Sequence, residues 1–212
     1  MSDPRTEIVG AGYDLMIDTW EDWVTRIEDD PRAEWRDELL SRLPVGARVV
    51  ELGCGGGTLE TKLLAERFRL TGVDLSVEQL ARARERVPEA EFVHSDFTSI
   101  EFAPGSLDAV AAFYSFNHVP RELLPGLFAR IRSWLVPGGL FLTALGARDS
   151  PDWVGEWLGV TMFFSGWDPE TNRRLLGDAG FRSLRDEVVT FQEPEGPAEF
   201  HWVLAQRVLA ER

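Results

Sequence analysis

A chain of 212 residues, 44% hydrophobic and 27% charged, has the length and composition of one α/β domain. Its formal net charge of -14 repels phosphate backbones, and no Lys/Arg cluster with interleaved aromatics offsets it, which excludes nucleic acids as partners. One cysteine, Cys54, rules out an intrachain disulfide, and no apolar run approaches the ~20 residues of a membrane span; with no basic-then-apolar leader at the N-terminus, the expectation is a cytoplasmic protein that avoids membranes.

Residues 1–43 stand apart from the pattern that follows. Tyr13 to Trp20 has the spacing of an amphipathic helix, with Tyr13, Ile17 and Trp20 on one face. Asp14, Asp18 and Asp22 recur at i, i+4 and i+8, which predicts a solvated helix face. Ala47 to Leu52 is a short apolar run ending in glycines, the mark of a buried strand. Thr58 to Arg67 follows as a helix, then Arg69 to Val73 as a second strand. Ser76 with Gln79 three residues on has the form of a capping box, and Pro88 stops the helix it opens. On that helix Arg82, Arg84 and Arg86 lie beside Glu78 and Glu85, again a solvated face.

Glu91 to His94 and Leu107 to Phe113 are the third and fourth strands. Pro120 suits a helix start, and Arg121 to Trp134 has apolar spacing behind it. Pro137-Gly138-Gly139 makes a turn into a fifth strand, Leu140 to Leu145. After an aromatic segment at 147–167, Asp168-Pro169 caps a helix that Gly180 closes. Two strands, about 184–191 and 200–208, flank the loop Glu193 to Pro197.

This alternation predicts a Rossmann-like, doubly wound α/β fold: a mostly parallel seven-stranded sheet with a C-terminal antiparallel hairpin. It divides one domain into a helical cap (1–43), a ligand-binding core (44–146), an aromatic lid (147–167) and a C-terminal helix and hairpin (168–212). Six of the eight tryptophans lie in the cap and the lid: Trp20, Trp23, Trp35, Trp153, Trp157 and Trp167.

The segment Glu51-Leu52-Gly53-Cys54-Gly55-Gly56-Gly57 stands where a strand passes into a helix. Glycines there let the chain bend and let a ligand approach the backbone, and the helix N-terminus offers free N–H groups. Asp74 ends the next strand, where an acid meets ribose hydroxyls in doubly wound sheets. The dinucleotide fingerprint G-x-G-x-x-G/A does not fit, because the sixth position is Thr58 or Glu60. Cys54 has no evident base partner and suits small-side-chain packing rather than nucleophilic attack.

The pattern E-x-G-x-G-x-G resembles the first motif of class I S-adenosylmethionine (SAM)-dependent methyltransferases. Four further segments are similar to that family in order and spacing: Gly72 to Ser76, His94 to Phe97, Phe113 to Val119, and Leu135 to Gly139. The resemblance implies SAM as cofactor and S-adenosyl-L-homocysteine as product. It implies cofactor contacts from Glu51, Gly53, Gly55, Gly57, Asp74 and Leu75, with Asp96 and Phe97 at the adenine edge and Phe113 beyond. In the family, an N-terminal and a post-fifth-strand insertion form a lid, which implies acceptor contacts from Tyr13 and Trp20 and from Trp153, Trp157, Phe163 and Phe164; the segment after the fourth strand lies beside the reacting methyl, which implies that Tyr114 and Asn117 orient the acceptor.

Methyl transfer from an activated sulfonium needs chiefly positioning, and a hydroxyl acceptor gains from a base that titrates near neutrality. His118 follows the fourth strand at the carboxyl edge of the sheet and is the candidate base. His94 and His201 are expected to be structural. No ligand set for a metal assembles from the sequence. The predicted function is methylation of a small aromatic or apolar molecule at O, with N and C as alternatives. The competing readings are a non-catalytic SAM-binding protein and a NAD-type Rossmann oxidoreductase. Partners reduce to the small-molecule acceptor and, at most, a second copy of the chain as a homodimer.

Overall fold

The short apolar runs become a parallel sheet because both of its faces are covered. A computed structural model describes residues 3–208; the first two residues of the expected cap and the last four of the C-terminal segment lie outside the described residues. Strands β1 (Arg48–Leu52), β2 (Arg69–Asp74), β3 (Glu91–His94), β4 (Leu107–Ala112) and β5 (Leu135–Gly146) run parallel. A hairpin of β8 (Phe181–Glu193) and β9 (Gly196–Arg207) adds to β5 in antiparallel fashion. The order is β3-β2-β1-β4-β5-β9-β8, seven strands. Its mixed sense is as expected, with the C-terminal hairpin at one edge.

Alternate residues of the central strands feed two cores. Val50, Val110 and Phe141 pack with α6 (Leu124–Trp134) and α7 (Pro169–Asp178) on one side. Val49, Ala111 and Leu142 pack with α3 (Arg32–Arg42) and α4 (Leu59–Arg67) on the other. Each fully buried Leu, Val or Phe contributes about 1.5–3 kcal/mol of transfer free energy. The remaining flank of β2 carries α5 (Val77–Arg86), and α1 (Pro4–Leu15) and α2 (Ile17–Val24) lie over the carboxyl edge of the sheet.

Four local expectations change. The segment from Tyr13 to Trp20 is not one helix: α1 and α2 meet at Met16, whose side chain is buried in a small core with Val9, Met162 and Phe163. Two of the three acids expected on a solvated face reach α5, while Asp22 stays 75% exposed beside Arg26 of its own helix region. Asp14 accepts from Ser76 Oγ at 2.5 Å and from the Glu78 N–H, and Asp18 and Glu21 pair with Arg82. Glu21 also takes Arg86 at 2.7 Å. These pairs fasten the cap to α5, and Asp18, its side chain 87% exposed, does so while still facing water.

The aromatic segment, to which the sequence pattern assigns no elements, is a β-hairpin, β6 (Ser150–Trp157) and β7 (Val160–Gly166). Its turn, Leu158-Gly159, has positive φ at both positions (49° and 81°), as a two-residue hairpin turn of matching twist requires. A leucine is an unusual occupant, so the turn carries no sequence signal. Finally, β8 and β9 are longer than their apolar runs and leave a two-residue turn at Pro194-Glu195.

Candidate functional site

Strand order reverses between β1 and β4, and the carboxyl ends of both open on a cavity of about 330 Å³. The glycine loop forms one wall. A Cβ on Gly53 would lie 2.4 Å from Ser115 Cβ, and Ser115 Oγ donates to Leu52 O at 2.8 Å. Only a glycine lets the ends of β1 and β4 close this tightly. At Gly55 (φ 55°) a Cβ would project toward Trp20 and Gln79, 3.6 and 3.8 Å away, and both of these line the cavity. Gly57 differs from expectation. It does not line the cavity, and its missing Cβ makes room for Ala83 and Val87 of α5.

Asp74 ties this wall to β2. Its Oδ2 accepts the Gly55 N–H at 2.8 Å and its Oδ1 the Ser76 N–H at 2.9 Å. Burial raises its pKa, against the lowering effect of these two bonds. Each oxygen keeps acceptor capacity for a donor in the cavity. Leu75, Asp96, Phe97 and Phe113 also line it, and the Asp96 carboxylate is oriented by the N–H and hydroxyl of Thr98, both at 2.7 Å.

Several buried polar atoms on the same wall have no partner within the protein: Glu51 Oε2, both amide atoms of Gln79, and Asn117 Oδ1. Leaving such an atom unpaired costs about 1–3 kcal/mol, so this wall is built for a polar ligand. Burial pushes the Glu51 carboxyl up to about 8. Burial also raises the Cys54 thiol, with Asp74 and Glu51 adding to the effect, so it is no nucleophile.

The opposite wall is aromatic and holds a hydrogen-bonded pair. His118 Nδ1–H donates to Phe163 O at 2.8 Å. That leaves Nε2 as an acceptor, and the Tyr13 O–H donates to it at 2.9 Å. Burial pushes the His118 pKa down to about 4, against the Phe163 carbonyl. This corrects the expectation of a base titrating near neutrality: the imidazole stays neutral because a cation there would lose its water. Burial likewise raises the Tyr13 phenol, with Asp74 adding to the effect.

Trp157 stands edge-on to Tyr13, Trp23 and Phe164, with centroids 5.4–6.5 Å apart. Of the eight residues expected to meet the acceptor, Tyr13, Trp20, Tyr114, Asn117, Trp157 and Phe164 line the cavity. Two others do not. Phe163 is buried behind the wall and contributes its carbonyl, while Trp153 is 46% exposed on the outer face of the hairpin. Tyr114 has φ 59°, an unusual conformation for a side-chain-bearing residue. Its hydroxyl donates to Asp30 at 2.9 Å.

Sequence reasoning missed Trp23, Ile27, Arg32, Glu193 and Phe200, all of which line the cavity. Trp23 could have been found three residues beyond Trp20 on the same helical face. Glu193 and Phe200 could not. The β8–β9 hairpin reaches the site because Gln192 exchanges two backbone hydrogen bonds with Glu28, at 2.9 and 3.2 Å. His94 donates to Leu75 O, and the buried His201 meets Asp186 at 3.0 Å, both structural contacts. Among the described residues no group of His, Cys, Asp and Glu side chains is arranged to hold a metal ion, and no helix is long and apolar enough to cross a membrane.

Comparison with known proteins places this geometry in context. A family described as a methyltransferase domain matches residues 49–139. A trans-aconitate 2-methyltransferase of Paracidovorax citrulli is 42% identical over 129 residues, 57% of this chain and 48% of the relative. An uncharacterised methyltransferase of Synechocystis is 28% identical over 72% of this chain and 78% of its own. The match spans about half the length of the first curated relatives. Among solved structures, the Burkholderia thailandensis 1,6-didemethyltoxoflavin-N1-methyltransferase, with its substrate and S-adenosylhomocysteine bound, superposes with a TM-score of 0.70. Sequence identity is 20%, and 97% of this chain and 87% of that one are covered. The Synechocystis magnesium protoporphyrin IX methyltransferase gives a TM-score of 0.73 at 17% identity, covering 96% and 99% of the two chains.

Proposed function

We infer that this chain is a SAM-dependent methyltransferase of the class I type, an enzyme that methylates a hydroxyl group of a small, flat, largely apolar molecule. The observation that carries this reading is the cavity itself. One wall presents unpaired polar atoms and an open glycine loop. The other presents aromatic rings around a neutral histidine.

The residues present suit SAM. Asp74 offers free acceptor capacity for ribose hydroxyls, and Gly55 offers an open backbone where a Cβ would intrude. Glu51, Gln79 and Asn117 supply buried atoms that lack partners. Leu75, Asp96, Phe97 and Phe113 complete that side of the cavity. When bound, SAM supplies a methyl group on a sulfonium and departs as S-adenosylhomocysteine.

The protein's own work is to orient and to move a proton. Tyr13, Trp157 and Phe164 hold a planar acceptor and keep water out. As the new C–O bond forms, the acceptor oxygen becomes strongly acidic, so a weak base is enough. The proton passes from the acceptor O–H to Tyr13 Oη, and the Tyr13 proton passes to His118 Nε2, 2.9 Å away. Phe163 O holds the imidazole in the tautomer that accepts it. Because burial disfavours the imidazolium, the proton then leaves to solvent and the base resets.

Two measurements test this. Calorimetry should detect SAM binding and no binding of NAD⁺. Transfer of labelled methyl from SAM to a fractionated small-molecule extract should yield an O-methylated product. Binding of NAD⁺ in place of SAM would overturn the reading, and SAM binding without turnover against any fraction would leave a SAM-binding protein.

A further inference from the structure

The charges that face the acceptor side of the cavity do not cancel. Arg32 is the one arginine or lysine among its lining residues, and it is already matched. It pairs with Asp30 at 2.7 Å, lies 4.0 Å from Glu60, and stacks over the Tyr114 ring at 5.5 Å. Asp30 also accepts the Tyr114 hydroxyl. On α2, the Trp23 indole N–H is shared between both oxygens of Glu195, at 2.8 and 3.0 Å. Glu193 is different. It lines the cavity from the end of β8, and among the described residues its carboxylate has no ion pair and no hydrogen bond.

The charged groups that act on Glu193 are themselves acids. Burial pushes its carboxyl up to about 7, with Glu195 and then Asp30 adding to the effect. A carboxylate held against aromatic walls with no counter-ion gains from a cation, because Coulomb attraction strengthens as water is excluded. Trp23, Trp157 and Phe200 line the same cavity, and aromatic faces attract ammonium groups by their quadrupoles. A carboxylate-bearing acceptor would meet like charge from Glu193 and find Arg32 already neutralised.

We propose that the methyl acceptor carries a protonated amine, remote from the hydroxyl at Tyr13 and His118, and that the Glu193 carboxylate at the tip of the C-terminal hairpin anchors it. This rests on the methyltransferase reading above and narrows its substrate class to amine-bearing aromatic hydroxy compounds. The pairing would also return the Glu193 carboxyl to its ionised form at neutral pH, since an adjacent cation lowers a carboxyl pKa.

Calorimetry on the protein saturated with S-adenosylhomocysteine tests it with three probes of one shape. Tyramine carries an ammonium, tyrosol a neutral hydroxyl and phloretate a carboxylate at the same end of a phenol. The expected result is tyramine binding at least tenfold tighter than the other two, with Glu193→Gln levelling all three. The same variant should bind SAM like the wild type and melt no lower than it. Equal or tighter binding of phloretate, or a tyramine preference that survives Glu193→Gln, overturns the amine anchor while the methyltransferase reading stands. Failure of the wild type to bind SAM at all overturns both.

Discussion

Replacing His118 with glutamine removes a titrating group and keeps the site's hydrogen bonds. The glutamine amide can donate to Phe163 O and accept from Tyr13, as the neutral imidazole does at 2.8 and 2.9 Å. In the wild type, burial lowers the His118 pKa from 6.5 to about 4. The unfolded chain therefore binds a proton that the folded chain refuses. The sign follows: stability is full above about pH 6.5 and is lost as pH falls toward 4. At about 1.36 kcal/mol for each tenfold change in the proton equilibrium, the whole window is worth roughly 3 kcal/mol, of which about 2 is spent by pH 5. Glu51 acts in the opposite sense. Its carboxyl is raised to about 8, so its contribution is present below the unfolded pKa and lost as pH rises. Both proteins carry it, and it cancels in their difference. Urea unfolding of wild type and His118→Gln at pH 7.5 and pH 5 measures that difference. The wild type should lose about 2 kcal/mol more than the variant over this interval. Parallel losses would mean that the folded state protonates His118 as readily as water does, and the neutral-base assignment would fall.

Tyr13→Phe removes the hydroxyl proposed to bridge the acceptor to His118; turnover should fall about 10²–10⁴-fold while SAM affinity, read by calorimetry, is unchanged. The wild-type rate at saturating acceptor should be flat from about pH 6 to 8, because a group with a pKa of about 4 is already neutral there; a rise with a midpoint near 7 would reinstate a base of ordinary pKa. Asp74→Ala should weaken SAM binding by roughly 2–4 kcal/mol, the worth of the two charge-assisted ribose contacts proposed for it together with its brace on the Gly55 N–H at 2.8 Å. Gly55→Val should abolish SAM binding while circular dichroism stays native, because the new side chain enters the cavity from a φ of 55°; retained affinity would remove this loop from the cofactor site.

Two sequence signals located the glycine-loop half of the cavity. Strand periodicity indicated the order of elements, and the glycine loop with Asp74 at the end of β2 marked residues that line the cavity. Both are local, because a few adjacent residues set a backbone bend or end a strand at a known edge. Gly57 shows the limit of such reading: its φ of 73° belongs to the same loop, yet the space it leaves is taken by α5.

The acceptor half depended on contacts between distant parts of the chain. Tyr13 and His118 are 105 positions apart and meet because Gly12 lets α1 settle on β7, where a Cβ would lie 2.8 Å from Met162 Cε. The hairpin of β6 and β7 was hidden because β7 is covered by α1 on one side and carries the site on the other, which erases the in-out alternation that marks a strand. Glu193 enters the cavity through a single backbone bridge between Gln192 and Glu28. The sequence alone determined what kind of ligand the sheet edge would hold, because that edge is built from contiguous motifs. Tertiary structure alone decided the charge and protonation of the side chains that line the aromatic side of the cavity, because burial and pairing set both, and neither property belongs to any residue before the chain has folded.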